Sequence, residues 1–285
     1  MPKTIIDDIL NTQRGWAAGT GLTVDDRGYL PDVSSNLHGG LSPAVRAAFE
    51  NADGNELTDR SGQPAKMRAL ISSSALAVNV FQHWTLRDPS PLGAVLGLQG
   101  VVTHVEFERR LPTGAPGTPP NLDVVLTLAD GGVVGIESKF TEWMKRDDSQ
   151  AGSMAPYFRA SPSLWEHEGL VACAHLARAV YEQEERFEYL NVPQLLKHAL
   201  GLHRAGAATW SLGYVWYDLD GVAGEKHRQE LQRFADAVGK EVALRSLSYQ
   251  ELFMALECVP AIDHAYLSYL VRRYGAPSLQ GPTSN

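Results

Sequence analysis

Three residues in the middle of the chain carry the functional groups that phosphodiester hydrolysis calls for: Asp123, Glu137 and Lys139. Glu137 and Lys139 stand two apart in GIESKF. On a β-strand such residues share one face while the intervening Ser138 takes the other, so a carboxylate and an amine are held side by side. Asp123 lies in the preceding run NLDVVLTLA, and Asp130-Gly131-Gly132 between the two runs is the best hairpin signal in the sequence. A three-residue loop at 130–132 pairs Ala129 with Val133, Val125 with Glu137 and Asp123 with Lys139. Asp123 is then diagonal to Glu137, roughly 7–8 Å away at the backbone. A two-residue Asp-Gly turn instead puts Asp123 on the wrong face.

Two carboxylates and the Ser138 main-chain carbonyl are hard oxygen donors of the kind Mg²⁺ takes, with Mn²⁺ as a substitute. Such an ion makes water a better nucleophile and neutralises charge developing on phosphate. Lys139 would orient or deprotonate that water, or stabilise the transition state, and residue types leave the choice open. The competing account is a solvated hairpin face with a cross-strand ion pair of little energetic weight. Against it, Val124, Val125, Leu126, Val134 and Ile136 indicate strands buried on much of both faces, where an acid needs a partner or a metal.

The surrounding elements can be read from pattern. VVTHVEFER, residues 101–109, alternates and is rich in β-branched residues, so it is a strand whose Glu106 and Glu108 flank the site by topology but by alternation fall on the wet side. A helix is expected from Pro64 through Trp84, because Met67, Leu70, Ile71, Ala75, Val78 and Phe81 recur at helical spacing. Ser163 with Glu166 makes a capping box before one long helix to about residue 187, and Asn191 caps the next. That helix feeds the strand WSLGYVWYDL. A charged helix, the short strand EVALRSL, a helix opened by Ser248 and Glu251, and a helix ending at Gly275 complete the chain. The expected fold is α/β, a central mixed sheet of about five strands flanked by helices. Residues 1–64 read as an irregular, partly helical region packed on the core, 65–275 as the catalytic domain, and 276–285 as a flexible tail.

The pattern of Asp123 followed by Glu137-Ser138-Lys139 on a hairpin resembles the core of the PD-(D/E)XK nuclease superfamily, which includes many restriction endonucleases. The resemblance implies a restriction-endonuclease-like fold and Mg²⁺-dependent cleavage of DNA by Asp123, Glu137 and Lys139. It also implies an acid from the first helix region, for which Glu56 in GNEL is the nearest candidate as a further metal ligand. Gln194, on the helix before WSLGYVWY, stands much as a glutamine does in some branches of the superfamily. Those branches often place tyrosine four residues later; here that position is His198. Without the resemblance, Gln194 and His198 read equally well as a polar i,i+4 pair at a sheet edge.

Other classes find no support. There is no P-loop, GxGxxG, GxSxG or HExxH, and Cys173 and Cys258 fit neither a disulfide framework nor a zinc site and read as buried thiols. With 33 acidic and 25 basic residues the chain does not coat nucleic acid by bulk charge, though a local metal reverses the sign at a site. Arg109, Arg110, Lys145, Arg146 and Arg159 fall in the loops bracketing the hairpin, where they could meet a phosphate backbone. The start of the sequence lacks the apolar stretch of a signal peptide, so a cytoplasmic protein without a membrane segment is expected. The partner is nucleic acid, DNA by the resemblance, and a homodimer is left open. The alternative function is a catalytically silent nucleic-acid or protein-binding module on the same fold.

Overall fold

The computed structural model describes residues 2–52, 55–145, 150–159 and 162–275. The expected tail at 276–285 and Arg146 lie outside them. A five-stranded mixed sheet, in the spatial order of the sequence, forms the centre. Strands β1 (Val102–Arg110), β2 (Asn121–Leu128) and β3 (Val133–Lys139) make an antiparallel meander; β4 (Trp210–Trp216) and β5 (Leu244–Ser248) add in parallel.

The helices are α1 (Pro2–Gly19), α2 (Pro43–Asn51), α3 (Ser73–Phe81), α4 (Pro91–Val95), α5 (Leu164–His167), α6 (Val171–Tyr181), α7 (Val192–Arg204), α8 (Val222–Val238), α9 (Tyr249–Glu257) and α10 (His264–Tyr274). Helix α7 covers one face of the sheet. A Cβ on Gly135 of β3 would meet the Leu202 side chain of α7 at 3.0 Å, so residues 135, 137 and 139 look toward that helix. The alternate residues Val134, Ile136 and Ser138 face the side where α4 and α9 pack: Ser138 Oγ and Tyr249 Oη of α9 are 2.6 Å apart. No described helix is long and apolar enough to cross a membrane.

Several expectations change. The helix expected from Pro64 begins only at Ser73, where Ser72 accepts the Ala75 N–H. Upstream, the Arg68 carbonyl and the Leu70 N–H are taken by Leu30 and Gly28, which pulls that stretch out of helical hydrogen bonding. The Ser163 and Glu166 capping box is present, but the helix it opens stops after one turn. Gly169 turns into the left-handed region at φ +78°, and a second helix, α6, follows. Residues 1–64, read as irregular and partly helical, hold the helices α1 and α2. Ile9, Leu37, Val45 and Phe49 from that region share the sheet's core. Arg273 of α10, buried, donates to the carbonyl of Asn36 at 2.7 Å and to Gln13 at 3.2 Å, tying the first segment to the last helix. Of the two thiols only Cys173 is buried; Cys258 is exposed at the end of α9.

Candidate active site

The hairpin register sets the geometry. Its loop has three residues, as expected, but they are 129–131: the Leu128 N–H bonds the Gly132 carbonyl at 2.8 Å, and Gly131 supplies the left-handed position at φ +82°. Both flanks therefore move by one residue, and the pairing becomes Thr127 with Val133 through Val124 with Ile136. Asp123 consequently stands opposite Glu137, one step past the last pair, and not opposite Lys139. β2 and β3 stop pairing just there, while β3 remains paired to β4 through Lys139 and Trp216. The opening is bridged by Asp123, whose Oδ2 accepts the Ser138 N–H at 2.7 Å. In the β3–β4 ladder the Lys139 carbonyl accepts the Tyr217 N–H, so alternation turns the Ser138 N–H and carbonyl toward β2 and Asp123.

Glu137 is buried between two partners. Lys139 Nζ lies 2.5 Å from its Oε1 and His198 Nε2 lies 2.8 Å from its Oε2. The second approach is off the direction of a ring N–H, so it is a close polar contact and not an aligned hydrogen bond, and Glu137 Oε2 has no hydrogen-bond donor. Lys139 Nζ also donates to Gln194 Oε1 at 3.0 Å. Asn191 caps α7 by accepting the Gln194 N–H, which fixes the first turn so that Gln194 and His198, one turn apart, both reach β3. The structure thus brings Gln194 and His198 to Asp123, Glu137 and Lys139.

Electrostatics divide the acids. Burial raises the Glu137 carboxyl, but Lys139 and His198 more than offset it and hold it down at about 2. Burial, then the Glu137 charge, holds Asp123 well above the usual carboxylate range. For Lys139, burial favours the neutral amine, yet Glu137 and Asp123 outweigh it and keep the ammonium above its ordinary range. One cation thereby serves two acids, and the second, Asp123, binds its proton more tightly than an ordinary carboxyl.

A third acid joins them that pattern reading assigned to the wet side. Glu108 takes the register position opposite Asp123, between the pairs Phe107 with Val124 and Arg109 with Leu122. Its backbone sits at φ +51°, where a non-glycine residue is strained, as is frequent at functional sites. Its carboxylate accepts from Asn121 Nδ2 at 3.1 Å. Burial, against the pull of Asn121 and with the charges of Glu56 and Glu137, pushes Glu108 up to about 7. Glu56 lies beside Glu108 in this sense; its Oε1 is 3.3 Å from Lys66 Nζ, and its Oε2 is buried with no hydrogen-bond donor. The alternating pattern gave no sign of Glu108. Its register against Asp123 was the available signal, once β1 was paired with β2.

The raised value of Glu108 has a sign. Its folded-state value lies above the unfolded one of 4.5, so the stability it contributes is complete below about 4.5 and is lost as pH rises through about 7. Glu108→Gln is expected to flatten the fall of the thermal midpoint between about pH 5 and pH 8 in chelator. The gain at the upper end is on the order of 2 kcal/mol. Equal slopes for wild type and variant would show that Glu108 titrates normally.

The basic residues divide as well. Arg109 and Arg110 belong to β1 and not to a loop. Arg109 pairs with Glu106 at 3.1 Å, and Arg110 donates to the Asn51 carbonyl and to Asn121. Lys145 and Arg159 are exposed. A cavity of about 490 Å³ on the opposite face, between α4 and β3–β5, has Arg245 as its one charged lining residue and lies away from all these acids.

Comparison with known families bears on this arrangement. Residues 41–275 match the family described as Restriction Endonuclease associating with ARP. The chain belongs to that family. The match crosses residue 64, so the REase-ARP unit includes α2 as well as the sheet and the helices after it. No curated protein and no solved structure matches the chain. The five-stranded mixed sheet with helices on both faces is consistent with the restriction-endonuclease-like fold of REase-ARP proteins.

A divalent ion is the group this fold implies. Among the described residues no three His, Cys, Asp or Glu side chains already converge as a metal cage. The donor chemistry nevertheless fits. Burial and the neighbouring Glu137 charge raise the Asp123 carboxyl, and buried oxygens of Glu137 and Glu56 lack hydrogen-bond donors. A hard cation relieves each of these. Asp123, Glu137 and the Ser138 carbonyl are the groups that would hold it, with Glu108 opposite Asp123 and Glu56 linked to them through its charge on Glu108.

Proposed function

We propose that this chain is a metal-dependent nuclease of the PD-(D/E)XK type that hydrolyses phosphodiester bonds, with DNA as substrate and a role in restriction or defence. The observation that carries the reading is the bridging of Asp123 to the Ser138 N–H where β2 and β3 part, beside the buried Glu137 and Lys139 pair. Membership of a restriction-endonuclease family supports it.

Asp123 and Glu137, with the Ser138 carbonyl, would hold Mg²⁺, or Mn²⁺ in its place. When bound, that ion supplies charge neutralisation at the phosphate and activation of the attacking water. The remaining work belongs to the chain. Lys139 is an ammonium in this site, because the Glu137 carboxylate 2.5 Å away leads the charges that outweigh burial. It suits donation to a phosphate oxygen, stabilising charge as the bond to the leaving oxygen breaks, better than removal of a proton from water. Gln194 fixes the Lys139 ammonium by accepting one of its protons, and His198 fixes Glu137 from the other side. These two are positioning residues.

A second reading, a silent binding module, draws on one observation: both oxygens of Glu137 already have a close partner. The discriminating experiment is cleavage of supercoiled plasmid, linear duplex, single-stranded DNA and RNA with Mg²⁺ or Mn²⁺. Wild type is expected to cut at least one of them, chelator to stop it, and Asp123→Ala to abolish it. Cleavage that survives in Asp123→Ala, or that ignores chelator, overturns the assignment.

A further inference from the structure

On the α7 face of the sheet opens a cavity of about 380 Å³ that shares Lys139 with the hydrolytic site and extends away from Asp123 and Glu137. Its size falls within the range of about 300–1,000 Å³ of small-molecule sites. Lys139 and Lys145 stand among its lining residues with four aromatic side chains, Trp143, Phe187, Tyr189 and Tyr214. This mixture is specific. Trp143, Tyr189 and Tyr214 are buried and form the wall, while the half-buried Phe187 ring is the one placed to meet a flat partner and the ammonium groups offer charge to an anion attached to it.

The walls are built in advance. Trp143 lies stacked on His227, with centroids 4.4 Å apart and planes 17° apart, and its Nε1 donates to the Tyr217 carbonyl at 3.1 Å. Tyr189 meets Trp143 edge-on at 6.2 Å, and Tyr214 Oη is 3.0 Å from His227 Nε2. Phe187 is half-buried, with the Arg233 guanidinium 4.5 Å from its ring centroid. The acids at the rim are already engaged: Glu142 accepts the Phe140 N–H at 2.9 Å, and Glu188 lies 3.4 Å from Lys226. Asn191 spends its carbonyl on the α7 cap, so its amide N–H groups are the part left for a ligand.

An aliphatic ligand has no use for the lysines, and a bare anion has no use for the rings. A nucleobase joined to a phosphate uses both. We propose that this cavity receives one unpaired base of the strand being cut, with its adjoining phosphate toward Lys139 and Lys145. The proposal rests on the nuclease reading of Asp123, Glu137 and Lys139 for that phosphate. It adds a substrate class: a base inside a duplex cannot enter such a cavity, so the strand is single or locally opened at the site.

The test is binding in chelator, where no cleavage occurs. A short single-stranded DNA carrying 2-aminopurine is titrated with wild type, Phe187→Ala and Phe187→Trp, and the same strand is offered as a blunt duplex. Wild type is expected to quench the 2-aminopurine and to prefer the single strand. Phe187→Ala should bind roughly tenfold more weakly, and Phe187→Trp should restore affinity. Should Phe187→Ala fail to fold, the quench by wild type still decides. Unchanged emission, equal affinity of wild type and Phe187→Ala, preference for duplex, or no binding each overturns the proposal. Failure here with Asp123-dependent cleavage intact removes the base site alone; Phe187-dependent binding without cleavage of any substrate removes the nuclease reading alone.

Discussion

Lys139→Met is expected to lower divalent-supported phosphodiester cleavage by roughly 10²–10⁴-fold, the range typical of losing one preorganised charge-stabilising or proton-handling group. The loss should fall on kcat, because the ammonium acts on charge that develops in the transition state. Lys139→Arg should recover little. A planar guanidinium does not fit the point occupied by an ammonium 2.5 Å from Glu137 and 3.0 Å from Gln194. Single-turnover cleavage of the preferred substrate measures it. A change confined to KM would mean that Lys139 only binds the backbone.

The same substitution should also unfold the protein more easily, by about 3–5 kcal/mol, because it leaves the Glu137 carboxylate buried without its cation. Glu137 is 2% exposed on its side chain, and His198, the partner that remains, contacts it without an aligned hydrogen bond. The double variant Glu137→Leu with Lys139→Met removes both charges together and is expected to return to within about 1 kcal/mol of wild type, or above it, while remaining inactive. Urea unfolding of the single and double variants in chelator gives both numbers. A double variant as unstable as Lys139→Met would assign the pair a structural role.

Much of this architecture is legible in the sequence, and the pattern of failures is physical. The β-branched runs gave β1, β2, β3 and β4, and side-chain caps located helix starts: the Ser163 and Ser248 boxes and the Asn191 cap are all present. Those signals are local, carried by residues within four positions of one another. The errors lie where distant chain decides or where neighbouring glycines leave a turn's register open. Helix α3 starts late because Gly28 and Leu30 take the backbone of residues 68–70. The hairpin slips because Gly131, not Gly132, holds the left-handed position of a three-residue loop. At the site, Glu137 and Lys139 share a face by simple alternation, while Glu108 joins by its register opposite Asp123, which the pattern of β1 alone does not disclose. Tyr249, which pins Ser138 from the opposite face, comes from α9, more than a hundred residues on. Gln194 and His198 were named from a family likeness and an i,i+4 spacing, and only packing of α7 on β3 brings them to Glu137 and Lys139.

The central claim is that Asp123 and Glu137 form a divalent-metal centre, and calorimetric titration of the metal-free protein with Mn²⁺ near neutral pH tests it most directly. Wild type should bind saturably, with an affinity that falls as pH is lowered, because the metal competes with the proton for an Asp123 carboxyl raised by burial and the Glu137 charge. Asp123→Asn and Glu137→Gln should each lose that binding. Saturable binding that persists in both variants, or its absence from wild type, would contradict the claim.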